Sequence, residues 1–203
     1  MTEHVFHVAI EILQDGAKAA MSTLISSKGA LPTSEQSKML VTSEGTIIGT
    51  VGDGRLEVSV WIEARQVIAT GKSSLKQFSL SEGRARAHGP PCGDIVEILT
   101  EPLPVQGEAI FRAVLGLKDT GHRGMLATIL TDHSLYPEGQ RKFLVGDDGS
   151  TIGSLGDVTL EAWLAVLSHV LLEREQCALE TYETMDGRHV RIFLEPVLPM
   201  PAE

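Results

Sequence analysis

The sequence predicts a mixed α/β (α+β) protein of two tandem homologous units, each running helix–strands–helix–strands, packed as a pseudo-two-fold pair. Residues 38–57 (KMLVTSEGTIIGTVGDGRLE) and 142–161 (KFLVGDDGSTIGSLGDVTLE) align at a constant offset of 104, with 10 of 20 positions identical. Unrelated segments of this composition share about one. Downstream, VEILTEPLP (96–104) faces VRIFLEPVLP (190–199) at an offset of 94, with Glu101-Pro102 over Glu195-Pro196. Helical and strand periodicities then alternate twice along the chain in the same order. A unit of about 90 residues burying one sheet face is marginal alone. Two in one chain can pack like the halves of a homodimer. The units are read as residues 1–104 and 105–203, with PLPVQG (102–107) as the seam.

The elements follow in order. A helix is expected over 3–19, with Val5, Val8, Ile12 and Leu13 on one face. Strands follow near 21–26, 38–43 and 46–50, with a turn at Ser43-Glu44-Gly45. A long amphipathic helix spans 54–70, with Leu56, Val60, Val67 and Ile68 inward, and Gly71 ends it. Strands near 75–80 and 94–100 close the unit. The second unit repeats this at 107–119 (helix), 124–131, 141–146, 150–154, 158–174 (helix), 177–184 and 188–195. The constant offset is expected to reach back to residue 21, placing Met21, Ile25 and Leu31 over Met125, Ile129 and Leu135. Ten residues drop out between the second helix and the final strand. There the first unit has SEGRARAHGPPCGD (81–94) and the second a tight turn at Met185-Asp186-Gly187.

Composition narrows the function. With 17 basic and 27 acidic residues the chain carries a net charge of −10. Such a field repels a phosphate backbone, so general nucleic-acid binding is not expected. No stretch approaches about 18 uncharged apolar residues, so no membrane span is expected. The N-terminus lacks a signal-peptide pattern. Cys92 and Cys177 form no metal spacing, and free thiols in a cytoplasmic protein are the expectation. No HExxH, P-loop or G-x-S-x-G is present, and the seven histidines are dispersed. No resident metal and no catalytic residues are expected.

Two places in the first unit could carry chemistry. The turn Gly49-Thr50-Val51-Gly52-Asp53-Gly54-Arg55 joins a strand to a helix, where free amides can hold an anion and an arginine can fork onto a phosphate. Asp53 and Glu57 there, with Asp157 and Glu161 in the second unit, read as helix caps. The other place is Cys92-Gly93, in a Pro- and Gly-rich loop near Arg84, Arg86 and His88, where positive charge would favour the thiolate. Lys38 and Lys142 precede strands and read as anion binders or as charges protecting a solvated strand edge.

The stretch 37–71 resembles the N-terminal domain of the XdhC/CoxI family, accessory proteins of molybdenum hydroxylases such as xanthine dehydrogenase and carbon monoxide dehydrogenase. Lys38-Met39-Leu40-Val41, Gly45, Gly49, Val51, Gly54, Glu57, Cys92-Gly93 and Glu101-Pro102 fall on the family pattern in order. The first unit is covered from about residue 20 to 104, the second more weakly. Arg55 stands where the family has its first cysteine, and the family's GSSPR stretch is degraded to Gly29-Ala30-Leu31-Pro32-Thr33. No strand–GxGxxG–helix pattern marks the family's C-terminal dinucleotide-fold domain. The resemblance implies a non-catalytic accessory or chaperone protein that transiently binds molybdenum cofactor through Gly52, Gly54, Arg55, Cys92 and Gly93. Its implied partners are the apo-hydroxylase, a sulfurtransferase and a second copy of the chain. Two other readings stand beside it: a protein-interaction or regulatory module that has lost cofactor binding, and a thiol-dependent transferase.

Overall fold

The computed structural model describes residues 2–27, 38–52, 54–79, 95–104, 107–130 and 136–199. The first unit contains α1 (Thr2–Gln14), β1 (Ala19–Ser27), β2 (Lys38–Thr42), β3 (Ile47–Thr50), α2 (Gly54–Thr70), β4 (Ser74–Ser79) and β5 (Ile95–Pro102). The second contains α3 (Gly107–Thr120), β6 (Gly124–Ile129), β7 (Lys142–Gly146), β8 (Thr151–Gly153), α4 (Val158–Leu172), β9 (Ala178–Glu183) and β10 (His189–Val197). Each builds one antiparallel five-stranded sheet. The orders are β3-β2-β1-β5-β4 and β8-β7-β6-β10-β9, so the two units are similar strand for strand.

Helices cover both faces of each sheet. On the outer face of the first sheet, Leu56, Val60, Ala64 and Val67 of α2 pack on Ala20, Met39 and Val41. On the second, Leu160 and Leu164 of α4 pack on Met125, Phe143 and Val145. The inner faces turn toward each other. Between them Val5, Phe6, Ala9 and Ile10 of α1 meet Ile110, Phe111, Val114 and Leu115 of α3, over Met21 and Leu40 on one side and Leu126 and Leu144 on the other. This core is common property, so neither unit keeps it alone. Ile25, Leu99, Leu130 and Phe193 form a second shared cluster.

The buried face of α1 is therefore centred on Val5, Phe6, Ala9 and Ile10, rather than on the expected Val5, Val8, Ile12 and Leu13, the last three of which are only partly buried. The helix must satisfy its own sheet and α3 together, which rotates the apolar arc. Correspondence between the units also differs from the expectation along β1 and β6. Met21 pairs with Leu40, but Met125 pairs with Val145, and it is Leu126 that pairs with Leu144. The counterpart of Met21 is thus Leu126, at an offset of 105, because the link from β6 to β7 is one residue shorter. In a strand, one residue of slip exchanges the faces: Met125 faces α4 and Leu126 faces the shared core.

At 105 for the first helix and strand, 104 for the middle and 94 for the last strand, contacts between the units become reciprocal. Phe6 meets its counterpart Phe111 with ring centroids 5.4 Å apart. Glu97 meets its counterpart Arg191 through two contacts, 2.9 and 3.3 Å. Lys38 Nζ donates to Glu195 Oε1 at 2.7 Å, and Lys142 Nζ lies 2.7 Å from Glu101 Oε2. Each lysine also donates to a threonine of its own unit, Thr23 or Thr128. All four charged groups are buried. Neither an anion site nor a solvated edge, as the sequence suggested, describes these lysines; both are cross-unit ion pairs.

Helix α1 also rests on a glycine. Gly49 has φ +81°, and a Cβ there would lie 2.4 Å from Lys38 O and 2.7 Å from Val5 Cγ2. Its counterpart Gly153 has φ +93° and the same neighbours, Lys142 O at 2.6 Å and Ile110 Cδ1 at 3.0 Å.

Two outcomes follow for urea unfolding. Lys38→Met alone should cost ~3–5 kcal/mol, because Glu195 is left buried and unpaired, while adding Glu195→Leu should recover most of the loss. Gly49→Ala should cost ~2 kcal/mol through its backbone conformation and the crowding beneath α1.

Candidate functional site

The strand-to-helix turn of the first unit is described at Gly52, Gly54 and Arg55. Gly52 is exposed, and its amide donates to Thr50 Oγ1 at 3.2 Å. The Thr50 hydroxyl also lies against Gly52 O at 3.1 Å and donates to Glu57 Oε1. Glu57 thus ties the first turn of α2 back to β3. Gly54 opens α2 and faces open space, where a Cβ would meet no atom within 4 Å. Arg55 is exposed beside it. Of the described residues of the turn, Gly52, Gly54 and Arg55 are exposed, and Arg55 places a cation near the positive end of a 17-residue helix. Asp53, Cys92, Gly93 and Gly29–Thr33 lie outside the described residues.

The corresponding turn of the second unit is filled by the protein itself. Asp157 is the N-cap of α4, and its Oδ1 accepts from the amides of Thr159 at 3.0 Å and Leu160 at 3.1 Å. Glu161 Oε1 accepts from the amides of Leu155 at 2.6 Å and Gly156 at 3.2 Å, and from Ser154 Oγ at 2.8 Å. Two carboxylates occupy the place an anion would take. The sequence expectation that Asp157 and Glu161 serve as helix caps is what this geometry shows.

Beside that turn lies a cleft of about 440 Å³, between the start of α4 and the hairpin joining β9 to β10. Tyr136, Leu155, Asp157, Tyr182, Asp186 and Arg188 contribute to its wall. At its rim the Arg188 guanidinium lies 2.6 Å from Asp186 Oδ2. Hydrogen bonds from Arg188 and Thr184 hold the Asp186 carboxyl down at about 2. Burial, with the nearby Asp157 carboxylate, pushes the Tyr136 phenol up. The Tyr182 ring packs on Trp163 with centroids 5.2 Å apart.

Sequence reasoning missed this cleft. The available signal was the tyrosine count: the chain has two, and both line it. It also missed the carboxylates facing Lys38 and Lys142, although a Lys and a Glu recur in both units. No group of three or more metal-binding side chains occurs among the described residues. None of their helices is long and apolar enough to cross a membrane. Cys177 is half-buried and packs against the shared cluster of Ile25, Leu99, Leu130 and Phe193.

Arg188→Met should return the Asp186 pKa from about 2 toward its ordinary value of 3.8, read by carbon-detected NMR titration. A depressed carboxylate favours the fold above its ordinary value and loses that benefit as pH falls. The wild type should therefore hold this contribution to lower pH than the variant, down to about 2.

Comparison with known proteins agrees with the first unit's motifs. The model of the XdhC and CoxI family matches residues 12–79. The chain is 28% identical over 95 residues to the uncharacterized protein YqeB of Escherichia coli (strain K12), covering 47% of this chain and 17% of YqeB. It superposes with a TM-score of 0.59 and 18% identity on a Bacillus halodurans crystal structure described as a xanthine dehydrogenase, covering 94% of this chain and 53% of that one. At that identity the likeness is one of fold. The chain spans less than two thirds of either relative. Residues 12–79, from the last turn of α1 through β4, thus match the pattern of the XdhC and CoxI family.

Proposed function

We propose that this chain is a non-catalytic accessory protein in the maturation of a molybdenum hydroxylase of the xanthine dehydrogenase or carbon monoxide dehydrogenase type. It holds molybdenum cofactor transiently, or docks on the apo-enzyme that receives it. The observation that carries the reading is the family match over residues 12–79, which contains the exposed Gly52, Gly54 and Arg55. Members of this family are accessory proteins of molybdenum hydroxylases rather than catalysts. We further read residues 1–104 and 105–203 as two copies of the family's unit, the second diverged.

The residues at the first turn fit the anionic end of such a cofactor. Gly54 leaves room beside the helix start and Arg55 supplies an exposed cation. A net charge of −10 attracts no anion from a distance, so a local site must do the holding. In this reading Gly52, Gly54 and Arg55 hold the phosphate, and Cys92 and Gly93 hold the metal end, where a thiolate is a suitable soft ligand. When bound, the cofactor brings the molybdenum centre that the recipient hydroxylase uses. The chain's own part is to orient and shield it.

A second reading is an interaction module without cofactor. Its support is the second unit, where Asp157 and Glu161 fill the turn.

The test is retention of isolated molybdenum cofactor by the purified chain through gel filtration, scored by pterin fluorescence. The wild type should retain it at micromolar concentration. Arg55→Ala and Cys92→Ala should each weaken it about tenfold, equivalent to ~1.4 kcal/mol. No retention by the wild type, together with cofactor-independent capture of a hydroxylase subunit, would establish the second reading instead.

A further inference from the structure

The cleft at the start of α4 has no part in the function proposed above. It is bordered by both of the chain's tyrosines. Tyr136 is only 5% exposed and lines the cleft. A phenol hydroxyl on a cavity wall can both donate to and accept from a bound ligand. Tyr182, whose ring packs on Trp163, lines it as well.

The wall also selects the ligand's charge. Four amides around the start of α4, those of Leu155, Gly156, Thr159 and Leu160, are taken by Asp157 and Glu161. Arg188 is neutralised by Asp186 at 2.6 Å. What remains is the negative charge of Asp157, two phenol hydroxyls, and the apolar surfaces of Leu155, Val158 and Met185. Val158 is 81% exposed and Met185 94% exposed. A volume of about 440 Å³ lies within the range of small-molecule sites. Tyrosine faces attract planar rings and cations.

We propose that the second unit's cleft binds a planar aromatic ligand bearing an uncharged or cationic hydrogen-bonding head, such as an amide or amidine. Tyr136 and Tyr182 take the head group, and Leu155, Val158 and Met185 take the ring. An anionic head is rejected. The site is separate from the Gly52–Arg55 turn, so its failure would leave the cofactor reading untouched, and the reverse.

Benzamidine, benzamide and benzoate share one ring and differ in head-group charge. The test is titration of each into the isotope-labelled full chain, followed by amide NMR shifts of Gly156, Thr184 and Met185. Benzamidine and benzamide should shift these amides at millimolar concentration, with benzamidine at least as tight, and benzoate should not. Tyr136→Phe should weaken benzamide about fivefold while the remaining spectrum is unchanged, an effect of the size expected for one hydrogen bond. Tyr182→Ala, at a half-buried position, is the second variant and should weaken it at least as much. Should Tyr136→Phe not fold, Tyr182→Ala decides alone. Three outcomes overturn the proposal: no shift with benzamidine or benzamide, benzoate binding as well as benzamidine, or wild-type binding in the folded variants.

Discussion

Two buried lysine–glutamate pairs set the architecture. Lys38 of one sheet reaches Glu195 of the other, and Lys142 reaches Glu101 in return. A buried charge is tolerated only against a partner with good geometry, and removing either partner is expensive. Here each partner lies in the other unit, so separating the units would strand four charges. The pairs are weak as a source of net stability, since an apolar pair of similar volume could serve as well. What they restrict is arrangement: this docking of the two sheets brings each buried lysine within 2.7 Å of a carboxylate of the other unit. Phe6 on Phe111 and Glu97 on Arg191 repeat the constraint along the axis, each residue meeting its own counterpart.

The apolar core follows from that docking. Helices α1 and α3 lie between the sheets and bury a common face, which is why Gly49 and Gly153 must lack side chains beneath them. The outer helices α2 and α4 cover the remaining faces and present their N-termini beside the strand-to-helix turns. The scaffold is thus similar on both sides while the turns differ. In the first, Gly54 and Arg55 are open to solvent. In the second, Asp157 and Glu161 close the helix start and a tyrosine-lined cleft lies alongside. One fold presents two different surfaces.

Much of this fold was legible in the sequence because the same pattern occurs twice. Helix and strand positions agree within about two residues, since Leu56, Val60 and Val67 keep helical spacing and turn residues bound the strands; the first helix is the exception, ending at Gln14 rather than 19, where β1 already begins. Register was not legible. All six residues of β6 are buried, so alternation cannot tell one face from the other, and the slip between Met21 and Leu126 was hidden. The ion pairs were illegible for a related reason. Lys38 sits at the end of a strand and reads as an edge charge, and its partner is 157 residues away. Of the candidate site, the Gly52–Arg55 turn lies where its spacing put it. The Tyr136 cleft was invisible because its parts come from three separate stretches of chain.

The central claim is that the shared core and crossed ion pairs make the two units one cooperative body. Each unit carries one tryptophan, Trp61 on α2 and Trp163 on α4. Equilibrium urea unfolding of the single-tryptophan variants Trp61→Phe and Trp163→Phe, each followed by both fluorescence and far-UV circular dichroism, separates the possibilities. If the units form one body, within each variant the two signals trace one transition with the same midpoint and slope. Fluorescence from one unit changing at a clearly different denaturant concentration from the circular dichroism of the whole chain would contradict it.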